Sequence, residues 1–462
     1  MNLLDQLVMA PRLALALTLW TPLACGGLSS IAHGADRPNV ILCMADDLGW
    51  GDTGYNGHPV LRTPHLDRMA EEGIRFDRFY AGAPVCSPTR GSCLTGRHPS
   101  RYGIPSANSG RLKSEEVTLA EVMKQHGYAT GHFGKWHLGT LTAEIKESNR
   151  ARPGNAKDYA PPWDHGFDVC FSTEAKTPTY WRAGSYEDYG THYWTGPGEM
   201  VPADAIQGDD SKLIMDRAVT FLRDVASRDE PFFLVIWFHA PHLPVVSAPP
   251  YTDGYTDHQD YYGCITALDE QMGRLRGELK KLGVAEHTML AFTSDNGPEG
   301  KPSAPGRTAG LRGRKRSLYE GGVRVPGLFV WPEMAPGPQT LETPCSTSDY
   351  FPTVLDAIGY QLPEAQARPY DGVSLLPLLR GETETRPRPI GFAHKQQVAL
   401  IDNRYKLYRG TPASAYQLFD LTEDPSEAND LSTEHPEVIK SMGTTLEAWR
   451  ASCKRSNRGE DY

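Results

Sequence analysis

Segments with the apolar pattern of buried strands alternate along the chain with segments of helical apolar spacing, which predicts an α/β fold. Near-continuous apolar or extended runs, typical of strands buried on both faces, occur at 39–45, 129–137, 231–240, 288–295 and 325–331. Helical spacing is found at 63–74, 118–128, 210–225 and across the residues from 265 to 282. We therefore expect a large, mostly parallel sheet sandwiched by helices.

The first helical pattern carries signals for both of its ends. Thr63 is a suitable N-cap, Pro64 suits the first helical position, and Gly73 marks the end. One apolar face of this helix is predicted to contain Leu66, Met69, Ala70 and Ile74.

Two later regions differ from this alternation. Residues 150–207 are rich in Trp, Tyr, Pro and Gly and weak in periodicity, which predicts a long, ordered surface insertion that lines a substrate site. After residue 385 the chain becomes strand-like and polar and closes with a helical pattern at 434–451. We predict a main domain at 36–385 and a small domain at 386–462, with an antiparallel sheet and a last helix.

The N-terminus is typical of a signal peptide covering residues 1–35. Arg12 precedes an apolar run at 13–24, which is too short to span a bilayer, and small residues follow up to Ala35. No other stretch of the mature chain is long and apolar enough for a membrane span. The protein is expected to be exported, to the periplasm or the medium. A lipoprotein anchor at Cys25 is the alternative. The chain has no N-x-S/T sequon, which favours a bacterial source.

Composition and charge narrow the class of protein. Hydrophobic residues make up 39% and charged residues 23% of the 462 residues, as in an ordinary globular protein. The net charge of -10 argues against nucleic acid as a partner. A basic stretch at 310–317 is either a solvated loop or part of a charge-selective pocket. The 8 scattered cysteines exclude a zinc finger and a disulfide-stapled miniature fold, but leave isolated disulfides open.

Polar groups follow four predicted strands, at the edge where ligands bind in a doubly wound sheet. They are Asp46 and Asp47, Lys135 and His137, His239 and His242, and Asp295 and Asn296. Each pair alone is weak evidence, since an Asp-Asp or Asp-Asn before Gly is more often a turn. Together, the carboxylates and the amide offer hard oxygen ligands, which favour Ca²⁺ or Mg²⁺ over Zn²⁺. The cationic groups would hold an anionic substrate against the metal.

The segment 83–97, APVCSPTRGSCLTGR, is the most unusual in the chain. Its Gly, Pro and polar residues are too many for a core segment, and Cys86 is a disulfide half, a reactive thiol or something else. Pro88 in a first turn and Arg90 one turn after Cys86 predict a helix that begins near Cys86. Arg90 would then share the face of residue 86 and hold the metal-site carboxylates.

CSPTR followed by LTGR resembles the C-x-P-x-R signature of the type I sulfatases, members of the alkaline phosphatase superfamily. The resemblance extends over nearly the whole mature chain, through segments at 38–59, 63–76, 131–139, 238–244, 292–297, 319–326 and 416–431. It implies an alkaline phosphatase-like fold in which 416–431 belongs to the small C-terminal domain.

The resemblance also implies a chemistry for Cys86. In this family the cysteine is oxidised to Cα-formylglycine by a formylglycine-generating maturation enzyme, and the aldehyde hydrate is the nucleophile. One calcium ion would be bound by Asp46, Asp47, Asp295, Asn296 and residue 86. Cys93 lacks the signature context and is expected to remain an ordinary cysteine.

Four further residues receive roles from the same resemblance. Lys135 and Lys315 would bind the sulfate, and His137 would take a proton from the second hydroxyl of the hydrate during elimination. His242 would lie near the leaving oxygen as general acid, whereas His239 is at most a supporting residue. The basic neighbours of Lys315 would contact further anionic groups of a polymer, or would simply be solvated: Arg312, Arg314 and Arg316.

The expected activity is hydrolysis of sulfate esters of a sulfated polysaccharide or oligosaccharide. The aromatic segment 177–194 would stack on sugar rings or form a packed loop. The alternatives are a phosphonate or phosphodiester hydrolase of the same superfamily, an aryl or choline sulfatase, and an anion-binding protein in which Cys86 is unmodified.

Overall fold

Four β-sheets and ten α-helices organise the computed structural model, which describes residues 37–462 apart from the side chains of residues 187 and 188. The strands, in chain order, are β1 (Asn39–Ala45), β2 (Ile74–Phe76), β3 (Phe79–Tyr80), β4 (Ala129–Lys135), β5 (Val169–Thr173), β6 (Tyr180–Trp181), β7 (Trp194–Gly196), β8 (Glu199–Met200), β9 (Gly208–Asp209), β10 (Phe232–Trp237), β11 (Thr288–Ser294), β12 (Arg324–Val325), β13 (Gly327–Val330), β14 (Gln339–Leu341), β15 (Cys345–Ser346), β16 (Ile390–His394), β17 (Gln397–Ile401), β18 (Tyr405–Arg409) and β19 (Gln417–Asp420). The helices are α1 (Pro64–Glu72), α2 (Cys86–Thr95), α3 (Leu119–Gln125), α4 (Tyr186–Tyr189), α5 (Asp210–Ser227), α6 (Gln259–Lys281), α7 (Glu320–Val323), α8 (Tyr350–Ala357), α9 (Leu376–Leu379) and α10 (Pro436–Asn457).

The main sheet has ten strands in the order β14-β2-β13-β11-β1-β10-β4-β5-β7-β8. Its five central strands, β11, β1, β10, β4 and β5, run parallel to one another, whereas β13 and β7 are antiparallel to their inner neighbours. All seven residues of β1 are buried, as expected for a strand covered on both faces. The predicted mostly parallel sheet with helices is confirmed.

The C-terminal part forms a four-stranded antiparallel sheet, β16-β17-β18-β19, on which α10 packs. One face of this sheet meets the rest of the chain, where Tyr80 lies against Phe392 with ring centroids 6.1 Å apart. Lys406 of β18 is fully buried there and contacts two carboxylates, Glu320 at 3.0 Å and Glu427 at 2.9 Å. The division into domains at residue 385 stays a prediction.

Several sequence predictions need correction. Ile74 does not lie on the first helix, because α1 ends at Glu72 and Ile74 begins β2. The predicted strand at 325–331 is divided between β12 and β13. The segment 150–207 is not only a surface insertion, because it contains β5, the fifth parallel strand of the main sheet. Lastly, the polar segment that begins at Cys86 is a core helix, since all ten residues of α2 are buried.

The N-terminal predictions, the signal peptide at 1–35 and the anchor at Cys25, lie outside the described residues. Within residues 37–462 the seven cysteines are all free thiols. None of the described helices is long and apolar enough to cross a membrane.

Candidate active site

Four buried ligand candidates meet where β1 and β11 end side by side. Ala45 and Ser294 are paired in the register of these parallel strands, so the residues that follow them lie at one edge. Asp46 and Asp47 continue from β1, and Asp295 and Asn296 continue from β11. All four side chains are at most 1% exposed. Carboxylates as deeply buried as these require cationic partners or a metal.

Cys86 faces this cluster from the first turn of α2. It is the first residue of the helix, and its Sγ lies 3.5 Å from Asp46 Oδ1. Burial and the nearby Asp295 carboxylate raise the pKa of the Cys86 thiol, so the unmodified side chain is a neutral thiol. The free N–H groups of the helix N-terminus favour negative charge at this position.

Arg90, one turn further along α2, connects the nucleophile helix to the carboxylates. Its Nη2 lies 2.6 Å from Asp295 Oδ2 and 3.4 Å from Asp46 Oδ2, and its Nη1 donates to the Lys135 carbonyl at 3.0 Å. The guanidinium also lies 5.2 Å from the Trp237 ring centroid. Because the guanidinium is fully buried, loss of one partner of these ion pairs would cost about 3–5 kcal/mol.

Two lysines supply the remaining positive charge. Lys135, the last residue of β4, places Nζ 2.5 Å from Asp46 Oδ2, and Lys315 Nζ lies 2.5 Å from Asp47 Oδ1. Burial alone would raise the pKa of Asp46, but Lys135 and the other cations hold it well below its usual range. For Asp295 the balance is reversed, because burial and the Asp46 charge raise its pKa. The charges of the cluster are therefore strongly interdependent.

His137 lies two residues after β4, in a left-handed backbone conformation with φ of 59°. Its Nε2 lies 2.8 Å from Asn108 Oδ1, and Asn149 donates to the same oxygen at 3.0 Å. An oxygen shared in this way accepts from both, so Nε2 carries the hydrogen and the buried Nδ1 has a lone pair without a partner in the described residues. Burial lowers the pKa of His137, which is therefore neutral and able to accept a proton.

His242 follows β10 and completes the ring of polar groups. Its Nδ1 donates to the Leu243 carbonyl at 2.6 Å, and its Nε2 lies 3.8 Å from Asp47 Oδ2. Burial lowers the pKa of His242 to about 4. Donation of a proton from Nε2 therefore requires an imidazolium that a nearby anion, such as a bound sulfate ester, would favour.

The buried oxygens of the site fit a hard divalent cation, and the ligand atoms clustered there also include a thiol and an imidazole. Asp46, Asp47, Cys86 and His242 each offer one ligand atom, and these atoms all lie within 4.8 Å of one another. Asp47 Oδ2 and Asn296 Oδ1 are buried oxygens that have no hydrogen-bond partner in the described part of the chain. Carboxylate and amide oxygens are the ligands that Ca²⁺ prefers.

His239 is fully buried and is bonded to residues outside the candidate ligand set. Its two ring nitrogens are engaged, by Asp210 at 2.7 Å and by Thr173 at 2.8 Å. Asp210 in turn accepts from Trp181 at 2.8 Å and from Tyr193 at 2.7 Å. This buried network fastens the aromatic segment 177–194 to the end of β10, so much of that segment is packed rather than free to stack on sugars.

The three arginines beside Lys315 have protein partners and are not simply solvated. Arg312 lies 3.8 Å above the Tyr319 ring, and Arg316 pairs with Glu299 at 2.6 Å. Arg314 donates to the carbonyls of Gly306 and Glu299, both at 2.8 Å.

Sequence reasoning missed two sets of functional residues. Asn108 orients His137 from an irregular loop, and no sequence motif predicts this role. The second set is the buried cluster of Lys406, Glu320 and Glu427, which holds the segment that carries Lys315. The Glu427 carboxylate accepts a hydrogen bond from the Glu320 backbone N–H at 2.6 Å, and the Glu427 backbone carbonyl accepts one from Arg312 at 3.1 Å. The available signal was that Glu320 and Glu427 lie in two of the segments that carry the family resemblance, 319–326 and 416–431.

Fold and site together define a hydrolase of the alkaline phosphatase superfamily. The family model described as Sulfatase matches residues 38–360, and the model described as N-sulphoglucosamine sulphohydrolase, C-terminal, matches residues 313–452. The chain belongs to the sulfatase family, and it is a sulfuric ester hydrolase.

Individual relatives agree with this assignment. The chain is 32% identical to steryl-sulfatase of Mus musculus, over 90% of this chain and 82% of that protein. It is also 32% identical to N-acetylgalactosamine-6-sulfatase of Mus musculus, over 87% of this chain and 78% of that protein. Among solved structures, the crystal structure of Ps i-CgsB in complex with k-i-k-neocarrahexaose matches with a TM-score of 0.78 and 26% identity, over 91% of this chain and 94% of that chain.

Proposed function

We propose that this sulfatase removes sulfate from a sulfated carbohydrate, with residue 86 as the nucleophile position. The observation that carries the proposal is the constellation in which Cys86, at the start of α2, lies close to two lysines, His242 and three carboxylates. A sulfate ester brings one negative charge and three acceptor oxygens into such a site. The lysines match those acceptors, and the helix N-terminus favours the developing charge.

We infer that Cys86 is the precursor of formylglycine. In hydrated form this group supplies a hydroxyl nucleophile, which the buried neutral thiol does not. A maturation enzyme that recognises the unfolded CSPTR segment is then required, because α2 is fully buried in the folded chain. Arg90 would hold residue 86 and the carboxylates in register.

The other residues divide between binding and proton transfer. Lys135 and Lys315 would bind the sulfate oxygens. His137, neutral and with a free Nδ1, would accept a proton at the nucleophile. His242 would give a proton from Nε2 to the leaving oxygen once the anionic substrate stabilises its imidazolium form. One calcium ion, held by Asp46, Asp47, Asp295, Asn296 and residue 86, would supply Lewis-acid polarisation of the ester.

Sulfated galactose or galactosamine units are the proposed substrate class. Support comes from relatives, since one is named N-acetylgalactosamine-6-sulfatase and a structural neighbour is described in complex with k-i-k-neocarrahexaose. Such a polymer lies outside the cell, which fits the signal peptide predicted at 1–35 and export to the periplasm or medium. We also propose that residues 36–385 form the catalytic domain and 386–462 the small domain.

Parallel assays of three substrates test this function. Protein produced with a maturation enzyme is offered 4-nitrophenyl sulfate, a sulfated galactose oligosaccharide and a phosphonate monoester at equal concentration. We expect the highest kcat/KM with the oligosaccharide. Faster hydrolysis of the phosphonate than of both sulfates would overturn the proposal, and a preference for the aryl ester would remove the carbohydrate substrate only.

A further inference from the structure

A cavity beside the active site is not used by the chemistry described so far. We call it the loop cavity, because most of its lining comes from residues 302–314, and its volume is about 690 Å³. The cavity adjoins the catalytic cluster, because its lining includes Arg314 and the next residue is Lys315. The Cα atoms of these two residues are about 3.8 Å apart. Lys315 enters the catalytic cluster, and Arg314 turns to Gly306 in the cavity wall.

The loop cavity is lined by two arginines, Arg307 and Arg314, whose guanidinium groups form no ion pair within the described residues. The exposed Arg307 guanidinium makes no hydrogen bond or ion pair anywhere in residues 37–462, and only its backbone is engaged. Arg314 bonds only to backbone carbonyls, and its buried Nε has no partner among the described atoms. None of the described residues that line the cavity is acidic.

One carboxylate in contact with the loop, Asp52, already accepts several hydrogen bonds. Asp52 is buried and accepts hydrogen bonds from Tyr261 Oη, Gly49 N and Arg307 N, each at 2.9 Å. In a protein with a net charge of -10, a cavity of this polarity would attract an anion locally.

Two aromatic rings also line the cavity, one of them the largely buried Tyr262, which is 9% exposed. Tyr262 and the exposed His258 line the cavity, and their rings meet edge to face with centroids 5.9 Å apart. The Tyr262 hydroxyl has no hydrogen-bond partner in the described chain, so it is free to bond a sugar hydroxyl. Cationic and aromatic groups in one cavity suit an anionic sugar unit better than a simple ion.

We propose that the loop cavity is a second anion subsite, which binds a sulfate or carboxylate group on a neighbouring sugar unit of the substrate. The inference rests on the proposed carbohydrate sulfatase function and adds a requirement for a second negative charge. Arg307 would be its main ligand, because its guanidinium alone is uncommitted, and Arg314 would shape the wall. The two sources of the anion, a second sulfate ester and a uronate, differ only in the group that Arg307 binds.

Arg307→Ala tests the subsite, with Lys301→Ala as the matched control. Lys301 lies on the same exposed loop, outside the lining, and its side chain has no partner in the described chain, so its variant removes an equal charge. We expect Arg307→Ala to lower kcat/KM about tenfold, or about 1.4 kcal/mol, on a disulfated galactose disaccharide, mainly through KM. Turnover of the monosulfated disaccharide and of 4-nitrophenyl sulfate should be unchanged, as should all activities of Lys301→Ala.

Two further arms separate the possible failures. A disaccharide with one sulfate and one uronate shows whether the ligand is carboxylate or sulfate. Calorimetric binding of the disulfated disaccharide to Cys86→Ala, with and without Arg307→Ala, gives a readout that does not need turnover. Equal effects of Arg307→Ala on mono- and disulfated substrates, or no effect in either assay, would overturn the subsite. A wild-type protein that releases no sulfate from any ester would instead overturn the proposed function.

Discussion

Asn108 Oδ1 accepts a hydrogen bond from His137 Nε2 at 2.8 Å, which determines how this imidazole can act. Because Asn149 donates to the same oxygen, the amide has one orientation and the imidazole one tautomer, with Nδ1 unprotonated. This hydrogen bond therefore leaves the Nδ1 lone pair of the buried His137 available to accept a proton. It also makes a loop asparagine a positioning residue for catalysis.

Asn108→Ala should lower kcat about fivefold and leave KM nearly unchanged. One hydrogen bond contributes about 1 kcal/mol, and its loss lets the ring and tautomer vary. The measurement is steady-state hydrolysis of 4-nitrophenyl sulfate. Ser109→Ala, next in the same loop and without a side-chain hydrogen bond in the described chain, serves as control. Unchanged kcat in Asn108→Ala would show that the contact does not orient His137.

His137→Ala should have a larger effect and a distinct time course. Removal of a general base costs roughly 10²–10⁴-fold in turnover. If His137 acts after the ester bond is cleaved, the variant should release about one equivalent of 4-nitrophenol quickly and then continue slowly. Stopped-flow absorbance measures this burst, and His435→Ala, at the half-buried N-cap position of α10, should behave as wild type. A slow reaction without a burst would place His137 at the first step instead.

Removal of the metal should abolish activity reversibly. EDTA treatment followed by desalting should give inactive protein, and Ca²⁺ should restore it better than Zn²⁺, because oxygen ligands dominate the cluster. Asn296→Ala should raise the Ca²⁺ concentration needed for half-maximal activity, whereas the exposed Asn457→Ala should not. Full activity in EDTA-treated, metal-free protein would contradict the calcium site.

Much of the fold follows from apolar pattern alone. The runs that become β1, β10 and β11 are continuous because both faces of these strands are covered, and their ends bring Asp46 and Asp295 to one edge. The apolar pattern did not reveal the strand β5 within 150–207, because β5 has only five residues and its first residue, Val169, is exposed. The sequence suggests that α2 is too polar for a core, yet the helix is buried because three of its hydroxyls bond to nearby backbone carbonyls, as Thr89 does to Ala83 at 2.9 Å.

The candidate site also contains some residues that the sequence predicts and others that it does not. Residues in local motifs, such as Cys86 and Arg90, were predicted because helical spacing relates them directly. Asn108 and Glu427 contact the catalytic segments only through tertiary structure, over separations of 29 and 107 residues. No local pattern encodes such contacts.

Asp371 should make stability depend on pH at the acidic end. Its carboxylate accepts from Arg101 at 2.7 and 2.8 Å, from the His98 N–H at 2.6 Å and from Trp449 of α10 at 2.7 Å. Burial alone would raise the pKa of Asp371, but the hydrogen bonds and charge of Arg101 lower it below its ordinary value of 3.8. The ionised form is therefore favoured by folding.

The sign of this effect can be tested with Asp371→Asn. A lowered folded-state pKa contributes stability above the unfolded-state value, about 3.9, which is lost as pH falls through the lower, folded value. The stability advantage of wild type over Asp371→Asn should be constant from pH 5 to about 7 and shrink below about pH 4. Urea unfolding across this range measures it, with the exposed Asp253→Asn as control. An advantage that grows on acidification would contradict the assignment.

The state of residue 86 tests the central claim most directly. Mass spectrometry of the peptide that contains Cys86 and Cys93 should be run on the same samples as a sulfate-release assay, with and without coexpressed maturation enzyme. We predict the mass of an aldehyde in place of one thiol, with Cys93 unmodified as an internal reference, and activity in proportion to the converted fraction. A peptide with both thiols intact from a protein that hydrolyses sulfate esters at full rate would contradict the claim.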